Sequence, residues 1–237
     1  MPDFVRPLNL KKPIVNRKLI AWGFLLTGLV STGAWVWGRT RLAPAAPPAQ
    51  TWGQVKITYT VNPPSPSPVG QRVLVQLQTQ LATASGEYGI YVYRLPDKVG
   101  YGLGADRVFR APAVTKILQL VNKTAADLRM QHTDPSQNTT TAYDAAMLWK
   151  GLYEAKLLGP LGGSSSEGGI LAAVPPGVQV IHQMSATQES WADSGIVMAS
   201  KPFVMVILSS QPNSPQIQQL GINLVKTIWL AETSGPR

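Results

Sequence analysis

The chain has 237 residues, 44% of them hydrophobic, and no cysteine. This length suits one globular domain with an appendage, and the absence of cysteine excludes a disulfide-held scaffold. The net charge of +9 is unevenly distributed. Residues 1–41 hold seven of the 21 basic residues and one of the 12 acidic ones, so the rest of the chain has 14 basic and 11 acidic residues. A nucleic-acid-binding domain carries its basic residues on the folded domain, so we predict no nucleic-acid partner.

An uncharged stretch, residues 19–37, lies between two basic clusters near the amino terminus. Its length approaches the ~20 apolar residues that span a bilayer, and tryptophans lie near its ends, where the interface favours them. More basic residues precede the span than follow it, which predicts a cytoplasmic basic tail over residues 1–18. We predict an uncleaved transmembrane anchor that leaves the rest of the chain periplasmic or extracellular. A cleaved signal peptide and a buried core helix are the alternatives.

Residues 38–70 are rich in proline, which predicts a semi-rigid spacer before a domain over residues 71–232. The alternating stretch 55–61 resembles a strand and has no assigned place; an edge strand is one option. Hydrophobic periodicity and breakers then predict the elements of the domain. They are helix 71–84, strands 88–95 and 100–103, a helix from Pro112, helix 142–158, strands 178–184, 195–199 and 203–209, and a last helix from Ser214-Pro215.

The helix that begins at Pro112 is predicted to be central. Proline suits the first helical position, where its missing N–H is not needed. Ile117, Leu120 and Val121 recur at helical spacing and are predicted to be buried, with Lys116 at the edge of that face.

Several stretches resemble class A serine β-lactamases and their penicillin-recognising relatives. The runs 88–95 and 100–103, followed by Phe109 and Lys116, resemble the opening of that family, and 193–197 with 201–206 resembles its last two strands. The threonine-rich run 138–144 resembles the start of a late helix in the family. The resemblance implies an α+β fold, a reduced β-lactamase/transpeptidase-like sandwich. Its antiparallel sheet would carry the first and last helices on one face and the helices at 113 and 142 on the other.

The same resemblance shows that the catalytic motifs are incomplete. The family's central helix begins Ser-x-x-Lys, in which the serine attacks a lactam carbonyl and the lysine handles its proton. Here Lys116 is present, but Ala113 occupies the serine position and a methyl group is no nucleophile. Where the family has Lys-Thr-Gly, usually after a histidine, this chain has His182, Gln183, Met184 and Ser185.

A long helical region of the family is also missing. Only residues 117–140 separate the two central helices, and they contain neither a Ser-Asp-Asn-type motif nor the loop whose glutamate activates water. Glu167 lies in a glycine- and serine-rich stretch, predicted to be a flexible loop, after the second of these helices. We therefore predict no intact catalytic residue. The degenerate pocket positions are Ala113, Lys116, His182, Gln183 and Ser185.

Lys116 has two interpretations. It is either a polar remnant of a pocket or a lysine whose stem covers the core while its amine reaches water, and we favour the second. Thr115 and Ser185 are the weak candidates for a replacement nucleophile. The two histidines, His132 and His182, lie far apart in sequence, so we predict no metal site and no cofactor.

The leading hypothesis is a membrane-anchored, β-lactamase-like domain without catalysis, a binding or scaffolding module at the cell envelope. Its ligand would be a peptidoglycan fragment or an envelope protein. The alternative is an active serine hydrolase on β-lactams or cell-wall peptides. A third hypothesis does not use the family resemblance and predicts an anchored α/β domain that takes part in membrane-complex assembly.

Overall fold

The computed structural model describes residues 67–161 and 168–234. The tail 1–18, the anchor 19–37, the strand-like stretch 55–61 and Glu167 lie outside the described residues, as does most of the spacer 38–70. Within the described ranges, no helix has the length and apolar character needed to cross a membrane.

The described elements follow one another as α1 (Pro68–Leu81), β1 (Tyr88–Arg94), β2 (Val99–Leu103), β3 (Val108–Arg110), α2 (Pro112–Leu120), β4 (Thr139–Thr141), α3 (Ala142–Glu154), a 3-10 turn (Gly159–Leu161), α4 (Gly169–Ala173), β5 (Gln179–Ala186), β6 (Trp191–Met198), β7 (Phe203–Ser209) and α5 (Pro215–Thr233).

Five strands form one antiparallel sheet in the order β2-β1-β7-β6-β5. On one face, α1 and α5 cover a hydrophobic cluster that includes Leu77, Met205 and Leu224. On the other face, α2 and α3 cover a second cluster that includes Ile117 and Trp149. The predicted α+β sandwich, with the first and last helices on one face, is confirmed.

Three predicted helix boundaries or faces are wrong. Helix α1 begins at Pro68, inside the predicted spacer, because the Ser67 hydroxyl caps it by accepting a hydrogen bond from Gly70 N–H. Helix α3 ends at Glu154, before the glycine and proline that were expected to stop it. On α2, Leu120 is 47% exposed, and Val114 and Leu118 join Ile117 and Val121 in the core.

Four elements were missed or shortened by the prediction. Strands β3 and β4 form a separate two-stranded sheet that was not predicted. Strand β6 begins at Trp191, four residues before the prediction. The short helix α4 was not predicted.

Candidate functional site

Helix α2 carries the positions where the resemblance predicted a nucleophile and its lysine. Ala113 lies in the first turn and is buried. Lys116 lies one turn later and is exposed. Exposure agrees with the interpretation of Lys116 as a solvated lysine, and the buried Ala113 offers only a methyl group.

Strand β5 contacts α2 and carries the remaining predicted positions. Ile181 belongs to the core cluster under α2 and α3, whereas Val180 and Met184 pack against the cluster under α1 and α5. Because side chains alternate along a strand, Gln183 and Ser185 lie on the α2 face and His182 on the opposite face. The structure therefore brings Ala113, Gln183 and Ser185 to one face of the sheet and separates His182 from them.

Thr115 is occupied by a structural contact. Its side chain is 1% exposed, and Oγ1 lies 2.7 Å from Asn138 Oδ1 and 3.0 Å from the carbonyl oxygen of Pro112. The hydroxyl thus joins α2 to the segment before β4. Ser185 differs, because its Oγ is buried and has no hydrogen-bond partner among the described residues.

His182 and Asp193 form a buried pair on the α1/α5 face of the sheet. His182 Nδ1 lies 2.8 Å from Asp193 Oδ1, and Asp193 Oδ2 accepts a hydrogen bond of 2.6 Å from Ile170 N–H. The neighbouring Gly169 has φ +54°, and a Cβ there would lie 1.8 Å from Asp193 Oδ2. Only glycine fits this close approach, so the pair positions α4 on the sheet.

The pair of His182 and Asp193 should make the stability of the folded domain depend on pH. Burial lowers the pKa of His182, but the hydrogen bond and charge of Asp193 outweigh it, so the pKa is raised. Burial raises the pKa of Asp193, although His182 and the Ile170 N–H act to lower it. The folded state therefore holds a proton that the unfolded chain releases, and stability falls as pH rises.

The contribution of His182 to the free energy of unfolding is complete below the pKa of about 6.5 that histidine has in the unfolded chain. It is lost as pH rises through the higher pKa that His182 has in the folded state. We expect denaturant unfolding to show a free energy that declines above neutral pH. His182→Asn should remove this decline, whereas His132→Asn, at the other histidine, should keep it. An unchanged slope in His182→Asn would contradict the assignment.

A cavity of about 440 Å³ lies away from these positions, at the start of α3. Its walls include Tyr91, Asp106, Arg129, Tyr143 and Asp144. Asp144 lies in the first turn of α3. The Thr141 hydroxyl does cap α3 by accepting from Asp144 N–H, but the Asp144 carboxylate bonds elsewhere. Across the described ranges, no three His, Asp or Glu side chains cluster closely enough to hold a metal ion.

Comparison with known proteins gives a family match over part of the chain and similar solved structures. The family model for the β-lactamase enzyme family, Beta-lactamase2, matches residues 118–229, a stretch that begins after Ala113 and Lys116. A search of curated proteins by sequence gives no match.

Solved structures share the fold. PBP-A superposes with a TM-score of 0.61 at 14% identity, covering 73% of this chain and 99% of its own. A β-lactamase from Chitinophaga pinensis gives 0.60 at 12% identity, covering 68% and 100%. A β-lactamase from Burkholderia phymatum gives 0.58 at 14% identity, covering 69% and 98%. The family match over part of the chain supports a β-lactamase-like family, and the fold is that of the serine β-lactamases and penicillin-binding proteins.

Proposed function

We propose that the chain is a membrane-anchored, β-lactamase-like domain without catalytic activity, which serves as a binding or scaffolding module at the cell envelope. The observation that carries the proposal is Ala113, a buried methyl group at the position where the family motif requires a serine. Loss of a nucleophile removes several orders of magnitude of rate, so efficient hydrolysis by the family mechanism should be absent.

The surroundings of Ala113 support the same conclusion. Lys116 is exposed rather than held beside a reacting group. The Thr115 hydroxyl is engaged with Asn138. Gln183 has no charge with which to attract a substrate carboxylate, which is the role of the lysine at that position in the family.

The sheet offers a mode of binding that needs no catalysis. Strand β5 is the last strand in the order of the described sheet, so its outer edge carries no strand partner there. An extended peptide can add to such an edge through main-chain hydrogen bonds. The peptide part of a peptidoglycan fragment, or an extended segment of an envelope protein, has the required chemistry. The anchor 19–37 would hold the domain near either ligand.

Covalent labelling by a fluorescent penicillin tests the loss of catalysis. Penicillin is the chosen probe because a variant of PBP-A has been solved as an acyl-enzyme complex with penicillin G. We expect no labelling of the full-length chain and labelling of Ala113→Ser, which would show that the pocket survives without its nucleophile.

Labelling of the unaltered chain would overturn the proposal in favour of an active serine hydrolase. In that event, loss of the label in Ser185→Ala or Thr115→Val would identify the nucleophile. If neither the unaltered chain nor Ala113→Ser is labelled, the penicillin pocket is gone and the scaffolding role alone remains.

A further inference from the structure

The cavity at the start of α3 has the size and composition of a small-molecule site. Its volume of about 440 Å³ falls within the range of about 300–1,000 Å³ typical of such sites. The segments 104–106 and 129–132 and the first turns of α3 supply its walls, and none of the degenerate pocket positions lines it.

Two tyrosines provide an aromatic surface in this cavity. The rings of Tyr91 and Tyr143 meet edge to face, with centroids 5.3 Å apart and an interplanar angle of 84°. Tyr91 is 2% exposed and lies against β2, where Gly102 leaves room: a Cβ there would be 2.6 Å from Tyr91 Cδ2. The faces of such rings attract cations and pack against other aromatic groups.

Asp144 is a buried acid whose basic neighbour is a histidine, His132, and not a lysine or arginine. It is 4% exposed, and its Oδ2 accepts hydrogen bonds from His132 N–H at 2.8 Å and Thr133 Oγ1 at 3.1 Å. Among the described residues, no lysine or arginine forms an ion pair with it. Burial raises the pKa of this carboxyl, although both hydrogen bonds and the charge of His132 act to lower it. A cation placed beside Asp144 would supply a countercharge that no lysine or arginine among the described residues provides.

The N-terminus of α3 does not make this cavity prefer an anion over a cation. A free helix N-terminus would favour an anion, but here Tyr143 N–H donates to the Ala105 carbonyl at 3.0 Å and Asp144 N–H donates to Thr141 Oγ1 at 3.1 Å. Two carboxylates, Asp106 and Asp144, line the cavity beside one guanidinium, Arg129, and the imidazole of His132.

We propose that this cavity binds a small aromatic cation, an arylamidine or arylalkylamine, whose charged group pairs with Asp144 while its ring lies against Tyr91 and Tyr143. The site is separate from the Ala113 region, so this proposal stands whether or not the chain is a hydrolase.

Isothermal titration of the full-length chain with three ligands of similar shape tests the proposal. Benzamidine is a cation, benzamide is neutral and benzoate is an anion. We expect saturable binding of benzamidine, binding of benzamide weaker by about tenfold or more, and no measurable binding of benzoate. Equal affinity for benzamidine and benzamide, or no benzamidine binding at millimolar concentration, would overturn the proposal.

Asp144→Asn tests the named residue, because asparagine keeps an oxygen to accept from His132 N–H and removes the charge. We expect benzamidine affinity to fall by about tenfold and to approach that of benzamide. Asp127→Asn, at an exposed carboxylate outside the cavity, should leave both affinities unchanged. A cooperatively unfolding Asp144→Asn variant that binds benzamidine normally would refute the site. If that variant does not fold, the ligand series on the unaltered chain still decides.

Discussion

Replacing Trp149 by alanine should lower the free energy of unfolding by about 3–5 kcal/mol, as expected for a large aromatic side chain removed from a core. Trp149 is fully buried on α3, within the cluster between α2, α3 and the sheet. Its Nε1–H donates a hydrogen bond of 2.9 Å to Ser194 Oγ on β6. The alanine variant leaves a cavity and also strands the buried Ser194 hydroxyl.

Equilibrium denaturant unfolding followed by circular dichroism measures this loss. Trp149→Phe keeps an aromatic ring in the core but loses the N–H and part of the indole, so it should cost less than Trp149→Ala. Trp229→Ala, at a partly buried tryptophan on α5, is the matched control and should also cost less. A loss for Trp149→Ala no larger than that for Trp229→Ala would show that α3 does not depend on this contact.

Asp193→Ala is expected to cost a similar amount, about 3–5 kcal/mol, because it removes one partner of a buried, hydrogen-bonded pair. The substitution strands His182 Nδ1 and the Ile170 N–H at once. Since the Ile170 bond holds the start of α4, the damage should extend to that helix. Hydrogen exchange at the Ile170 amide should therefore accelerate more than exchange in β7 at the centre of the sheet.

Asp193→Asn is the appropriate comparison, because its side chain has nearly the same shape and can still accept from Ile170 N–H. We expect it to retain α4 and to lose only part of the stability. If Asp193→Ala and Asp193→Asn are equally stable, the carboxylate does not organise this region.

The sequence predicted the elements whose own residues carry the pattern. Strand β7 is a continuous apolar run, and α5 begins at the predicted Ser214 cap, which accepts from Ile217 N–H, followed by Pro215. Elements that depend on a contact with a residue far away in the sequence were not predicted correctly. The start of β6 contains Asp193 and Ser194, polar residues that look unsuited to a buried strand until His182 and Trp149 satisfy them.

The residues of the candidate site differ in how well the sequence alone predicted their placement. The spacing of Ala113 and Lys116 was visible in the sequence, because both lie on one helix. The face occupied by His182 followed from alternation with Ile181, but only once the buried face of Ile181 was known. The cavity was not predictable, because residues from four separate segments meet there and its acid, Asp144, carries an ordinary helix-capping pattern.

The position of β7 in the sheet has a consequence for biosynthesis. This strand lies between β1 and β6, and its register joins Tyr88 to Ser209, so the last strand to be made completes the centre of the sheet. At roughly 5–20 residues per second, β1 waits on the order of ten seconds for its partner to be synthesised. The nascent chain therefore exposes one unpaired edge of the apolar strand β1 during that interval, because only its other edge can pair with β2, and the sheet is completed by a long-range contact that forms slowly.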